Sequence, residues 1–205
     1  MNEFDAVILA AGLSKRMGAK NKLLLEWHGA PLIAQVVQTY VQALDGNVTV
    51  ITGHEAEKLA DALKELQVQI RYNAQYETGQ QSSVVAALKQ PSSAQSTIIG
   101  LGDQPLLTPD DLRWLMAAHR TQDPEKITVP LQNHVRGNPI IIPARLRAQI
   151  LANPKSPGCR RFTRENPTLV SLVESNARGF FTDIDTPEDY TWHSQRMGGR
   201  YEAYS

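Results

Sequence analysis

Arg16 and Lys22 stand a few residues beyond "LAAG" at 9–12, which itself continues the apolar run "FDAVI". A guanidinium offers phosphate oxygens a planar fork, and an ammonium offers them a point charge. Ala10, Ala11 and Gly12 leave room for a ligand to approach the backbone. Gly12 and Gly18 are expected to take the positive φ that turns successive N–H groups inward. The stretch "LAAGLSKRMG" at 9–18 therefore suits a phosphate, the alternative being a glycine turn with solvated cations. It is neither a Walker A loop nor GxGxxG. Carboxylates form the counterpart. Asp103 in "GLGDQP" follows the apolar stretch "STIIGL", either as an oxygen ligand for magnesium on a polyphosphate or as an Asx turn before Pro105. In "TDIDTPEDY" at 182–190, Asp183 and Asp185 alternate along a strand-like stretch. Asp185 could serve as a helix cap beside Thr186 and Pro187.

Such residues need a scaffold that delivers strand ends to one place. Apolar runs of strand length, "DAVILA", "NVTVI" at 47–51, "VQIRY" at 68–72, "STIIGL" at 96–101 and "ITVP" at 127–130, alternate with helical patterns over 31–44, 54–66, 79–89 and 108–120. The alternation predicts a single-domain, three-layer α/β/α, Rossmann-like fold with a mostly parallel central sheet. Pro31 suits a first helical turn, and Thr108 reads as an N-cap with acids behind it. Past residue 130 the rhythm breaks. "NHVRGNPIIIP" reads as a turn flanked by β-prone residues, then come a helix near 143–152, the apolar runs "TLVSLV" and "GFFTDI", and a helix opening at Thr186. In doubly wound sheets, ligands bind beyond the carboxyl ends of strands where the strand order reverses, so the 9–18 loop and Asp103 are expected to share a crevice.

With 205 residues the chain can bury one sizeable core, and Lys plus Arg equal Asp plus Glu at 21 each. No global field draws it to nucleic acid or to an anionic membrane, so any anion must be captured locally. Cys159 is the single cysteine, which excludes an internal disulfide and a CxxC motif and fits a cytoplasmic setting. Glu3 and Asp5 precede a short apolar run that reads as a first strand rather than a signal peptide. No apolar stretch approaches the ~20 residues that span a bilayer.

The stretch "LAAGLSKRMGAKNKLLLEWHGAPLI", followed in order by "VITGHEAE", "NAQYETGQQSSVVAAL", "GDQP", "RGNPIII" and "DIDTPEDY", resembles the molybdenum cofactor nucleotidylyltransferases of the nucleotide-diphospho transferase superfamily. The resemblance covers nearly the whole chain. It implies one nucleotidyltransferase domain over 1–205, with a nucleotide-binding part over about 1–105 and an acceptor-binding part over about 106–195. By that resemblance the backbone of Leu9, Ala10, Ala11 and Gly12 faces base and sugar, and Arg16 and Lys22 bind the triphosphate. Gly79 and Ser82 lie near base and ribose, with Asn73 on the same wall. Asp103 binds magnesium, and Asp185 is a second ligand. Arg16, Lys22 and Asp103 are then the catalytic set, and Arg136, Asn138, Arg160 and Arg161 face the acceptor. Ala11 in "LAAG" is similar to the cytidylyl-transferring branch, where the guanylyl branch has "LAGG". The implied reaction moves CMP from CTP to a molybdopterin-type cofactor with release of pyrophosphate, and a molybdenum hydroxylase is an implied partner. Many such cytidylyltransferases carry an acidic glycine motif where this chain has "SPGCRRF" at 156–162. That departure keeps another acceptor open, a sugar phosphate or methylerythritol phosphate. A rival of another class is a non-catalytic carrier or insertion chaperone for the finished cofactor.

Overall fold

Buried along its whole length, the run "FDAVILA" forms β1 (Phe4–Ala10), as expected of a strand covered on both faces. The structure, a computed structural model, describes residues 2–18, 20–152 and 159–196. After β1 come the short strands β2 (Glu26–Trp27) and β3 (Ala30–Pro31), then α1 (Leu32–Ala43), β4 (Val48–Thr52), α2 (Ala56–Ala62), β5 (Gln69–Tyr72) and α3 (Gln80–Leu88). The order continues through β6 (Ser96–Leu101), α4 (Pro109–Gln122), β7 (Ile127–Gln132), β8 (Val135–Arg136), β9 (Ile140–Pro143) and α5 (Ala144–Leu151). It closes with α6 (Cys159–Glu165), β10 (Val170–Glu174) and α7 (Pro187–Arg196).

The main sheet runs in the order β10-β7-β9-β6-β1-β4-β5, with β8 paired to β7. It is mostly parallel: β1 pairs in parallel with β4 and β6, and β4 with β5, while β9 lies antiparallel to its neighbours. Alternate β1 residues feed opposite cores. Ala6, Ile8 and Ala10 pack with residues of α1, α2 and α4, such as Ile33, Leu59 and Leu112. Val7 and Leu9 pack with Val84 of α3, Ile150 of α5 and Phe162 of α6. The three-layer α/β/α, single-domain expectation holds. The chain leaves β1 toward β4 and β5 on one side and returns to β6 on the other, so the strand order reverses between β1 and β6. A site is expected beyond their carboxyl ends.

Local chemistry explains most boundaries. Thr108 caps α4 in a reciprocal box: its Oγ1 accepts from Asp111 N at 3.1 Å while Asp111 Oδ2 accepts from Thr108 N at 2.9 Å. Pro31 sits in extended backbone just ahead of α1 rather than in its first turn. Asn133 and His134, at φ 47° and 66°, form the tight turn between β7 and β8. "GFFTDI" is not a strand. Arg178–Phe180 is a 3-10 turn whose Phe180 is buried in the α1/α4 core, and the following residues run without a β partner. Among the described residues, no helix is long and apolar enough to cross a membrane.

Candidate active site

Backbone bonds bring three segments to the β1/β6 reversal. Gly102 N donates to Leu9 O at 3.0 Å, tying the exit of β6 to the exit of β1. Ile184 N donates to Asp103 O at 2.9 Å, docking the segment before α7 on the same point. A Cβ on Gly102 would lie 2.8 Å from Ile33 Cδ1 and 3.3 Å from Leu9 O, so a larger residue here would have to displace the tip of Ile33.

Lys22 is aimed by its neighbours. Asn21 Oδ1 accepts from Leu23 N at 3.1 Å and caps the turn Lys22–Leu24, while Ser14 Oγ accepts from Lys22 N at 3.3 Å. The Lys22 ammonium then donates to Asp103 Oδ2 at 2.5 Å and to Asp185 Oδ1 at 2.8 Å. Arg16 Nη2 pairs with Asp185 Oδ2 at 2.9 Å from a largely exposed position. Burial works to lower the Lys22 pKa, but the charges and hydrogen bonds of Asp103 and Asp185 outweigh it and hold the value above normal. Burial likewise works to raise Asp185, and Lys22 and then Arg16 overcome it, keeping this carboxylate below its usual range.

The structure settles several open alternatives. Asp103 Oδ1 is buried with no partner and Oδ2 bonds Lys22, so Asp103 makes no Asx turn. Thr186 rather than Asp185 caps α7: its Oγ1 accepts from Asp189 N at 3.1 Å and Asp189 Oδ2 accepts from Thr186 N at 2.9 Å. Asp185 is thereby left to face the cations. Asp183 joins the same electrostatic cluster. Desolvation first, then the charges of Asp103 and Asp185, push its carboxyl up to about 6, against the pull of Gln104 and Lys22. The positive φ expected of Gly12 is found at Ser14, φ 50°, with Gly18 at φ 67° as expected; Gly12 keeps ordinary backbone and borders open space.

A cavity of about 390 Å³ lies over this cluster. Leu9, Ala10, Ala11, Gly12, Arg16 and Lys22 line it together, as do Gly79, Asp103 and Asp185. Asn73 and Ser82 do not line it. Asn73 is buried behind the wall, where Nδ2 donates to Ser82 Oγ at 2.9 Å and Ser83 Oγ at 3.1 Å and Oδ1 accepts from Gln75 N at 3.0 Å. It fastens the turn to the start of α3, and Ser83 and Gln80 take the lining positions expected of Ser82. None of Arg136, Asn138, Arg160 or Arg161 reaches the cavity wall. Arg136 Nη1 donates to Thr163 Oγ1 at 3.2 Å, and Asn138 N donates to Phe180 O at 2.9 Å. Arg160 and Arg161 are both exposed on α6, with Arg161 bound to Glu165 at 2.6 Å, so neither points inward. Residues 156–158 of "SPGCRRF" lie outside the described residues. Among the described residues, no group of three or more His, Cys, Asp or Glu side chains is arranged to hold a metal.

Sequence reasoning missed Ser14, Asn21, Gly53 and Tyr76. Gly53 carried a signal, because a glycine directly after a buried strand often marks a close backbone approach.

The model of the MobA-like NTP transferase domain matches residues 6–170. The chain belongs to this family. Among its relatives are the nicotine blue oxidoreductase of Paenarthrobacter nicotinovorans, 27% identical over 89% of this chain and 92% of its own length, and the molybdenum cofactor cytidylyltransferase of Escherichia coli, 26% identical over 96% and 98%. In fold it is similar to a nucleotidyl transferase from Methanothermobacter thermautotroptrophicus, with a TM-score of 0.82 at 21% identity, covering 96% of this chain and 98% of that one. Membership in the MobA-like NTP transferase family bears out the expected nucleotidyltransferase kind of enzyme. The family match ends at residue 170, so it is the geometry that brings Asp185 to the site.

Proposed function

We propose that the chain is a metal-dependent nucleotidylyltransferase that moves CMP from CTP to the terminal phosphate of a molybdopterin-type molybdenum cofactor. The observation that carries this reading is the meeting of Lys22, Arg16, Asp103 and Asp185 in one cavity beneath the "LAAG" backbone. The cytidylyltransferase relative and the alanine at position 11 favour CTP. Two cations facing two carboxylates are what a metal-bound polyphosphate needs, so we take transfer over the redox chemistry in the name of the Paenarthrobacter relative.

An acceptor phosphate oxygen attacks the α-phosphorus, the new P–O bond forms, and the bond to the bridging oxygen breaks, the electron pair leaving with pyrophosphate. The acceptor is already ionised near neutral pH, so no general base is required. Asp103 and Asp185 would hold magnesium, and the buried, unpartnered Oδ1 of Asp103 fits that use. A bound magnesium supplies charge neutralisation on the phosphate oxygens. The incoming triphosphate competes with the carboxylates for Lys22 and Arg16, which then hold its oxygens in place. Backbone from Leu9 to Gly12 and the start of α3 bound the nucleoside end. Arg136, Asn138, Arg160 and Arg161 lie off the cavity, and this favours keeping another phosphorylated acceptor as the second reading.

The test is pyrophosphate release with magnesium and each of CTP, GTP and ATP, without acceptor and with isolated molybdopterin-type cofactor, a sugar phosphate or methylerythritol phosphate. Release with CTP and that cofactor is expected. Release with GTP alone overturns the base assignment, release only with a sugar phosphate or methylerythritol phosphate moves the acceptor, and no release with any pair favours the carrier.

A further inference from the structure

We infer that Tyr76, pressed toward Ala11 across Gly53, is the wall that restricts the nucleoside end of the cavity to a single-ring base. This inference rests on the transfer reading above and concerns its base selectivity. Gly53, at the exit of β4, is buried, and a Cβ there would lie 2.5 Å from Tyr76 Cβ, 2.7 Å from its Cγ and 2.8 Å from Ala11 Cβ. The stems of Tyr76 and Ala11 therefore converge on the one point that Gly53 leaves empty. The nearest atoms are the root of the tyrosine rather than its tip, so rotation of the ring does not release the contact. Ala11 and Tyr76 both line the cavity that Arg16, Lys22, Asp103 and Asp185 also line.

The turn bearing Tyr76 is fixed at both ends. Asn73 N donates to Thr52 O at 2.8 Å, Tyr76 N to Asn73 O at 3.2 Å, and Gly79 N to Tyr76 O at 3.2 Å. His54 and Tyr72 each have their ring centroid 6.4 Å from that of Tyr76. An aromatic wall whose stem is pinned beside Gly53 cannot swing freely out of the way of a larger ligand. A volume of about 390 Å³ lies at the small end of ligand cavities and must take base, ribose and triphosphate together. Excluding a ring by packing costs a mismatched ligand much more than adding a methyl group does.

The test is kcat/KM for CTP and GTP, measured as pyrophosphate release in the wild type, Tyr76→Ala and Tyr76→Phe, with binding of each nucleotide by calorimetry as the second readout. The wild type is expected to prefer CTP. Tyr76→Ala should shrink the CTP:GTP ratio at least about tenfold, chiefly through tighter GTP binding, while Tyr76→Phe keeps it. An unchanged ratio in Tyr76→Ala overturns the inference and leaves the transfer reading standing. A wild type that prefers GTP overturns the base assignment and this inference with it, leaving transfer standing, and one that releases no pyrophosphate overturns the transfer reading, in either case before any variant is compared. Should Tyr76→Ala fail to fold, Tyr76→Val read the same way decides.

Discussion

Lys22 Nζ lies within hydrogen-bond reach of carboxylates from two distant segments, so its ammonium already occupies the region that a divalent cation would share with them. A unit charge about 4 Å away in partly screened surroundings interacts by ~4 kcal/mol, and solvent access reduces this. Lys22→Met is therefore expected to bind manganese about tenfold more tightly in the absence of nucleotide, and CTP more weakly, as read by calorimetry. An unchanged manganese affinity would remove Lys22 from the cation's place. Asp103→Asn keeps the shape of the side chain and loses its charge, so turnover should drop about 10²–10³-fold with an unchanged circular dichroism spectrum. Residue types alone pointed to Arg16, Lys22 and Asp103, because a cationic loop and a strand-end acid advertise phosphate chemistry. They could not show that Asp183 and Asp185 would act on one cluster. That segment forms no strand, so strand alternation does not decide where the two carboxylates point.

At the scale of elements, the start of α3 depends on backbone shape. Gly79 sits at φ 112°, where a side chain would meet open space but the backbone is strained for any other residue. Gly79→Ala should cost about 1–3 kcal/mol in urea denaturation and weaken nucleotide binding along with stability. His119 gives α4 a different vulnerability. It is buried with its ring nitrogens 3.0 Å from Ser96 Oγ and 2.8 Å from Thr128 Oγ1, linking α4 to β6 and β7. Burial above all, helped by Arg120 and opposed by Glu3, pulls its pKa below the ordinary 6.5. The unfolded chain then takes up this proton first, so the stability is complete above pH 6.5 and is lost as pH falls from there through the folded value. The urea midpoint should drop over that range in the wild type and less in His119→Gln. Alternation of apolar runs made β1, β4, β6 and the flanking helices readable in advance, since parallel strands buried on both faces are apolar along most of their length. Gly53 and Asn73 were harder to read. Their roles are to let a turn approach and to fasten it, and both depend on neighbours distant in the chain.

For the whole molecule, one cavity joins the exits of β1 and β6 to the segment before α7, so a ligand there braces parts of both cores. Magnesium and CTP at about a hundred times Kd should add ~2.7 kcal/mol of stability. For a chain of this size that raises the melting temperature by roughly 5–10 °C in scanning calorimetry. The same addition should have little effect on an Asp103→Asn protein. Lys22 and Asp185, which the cavity unites, stand 163 residues apart. Chains are made from the amino end, so a ribosome must translate the 163 positions that follow Lys22 before Asp185 can reach it. A nascent chain thus holds a half-built pocket, unable to grip a triphosphate until the segment bearing Asp185 has emerged.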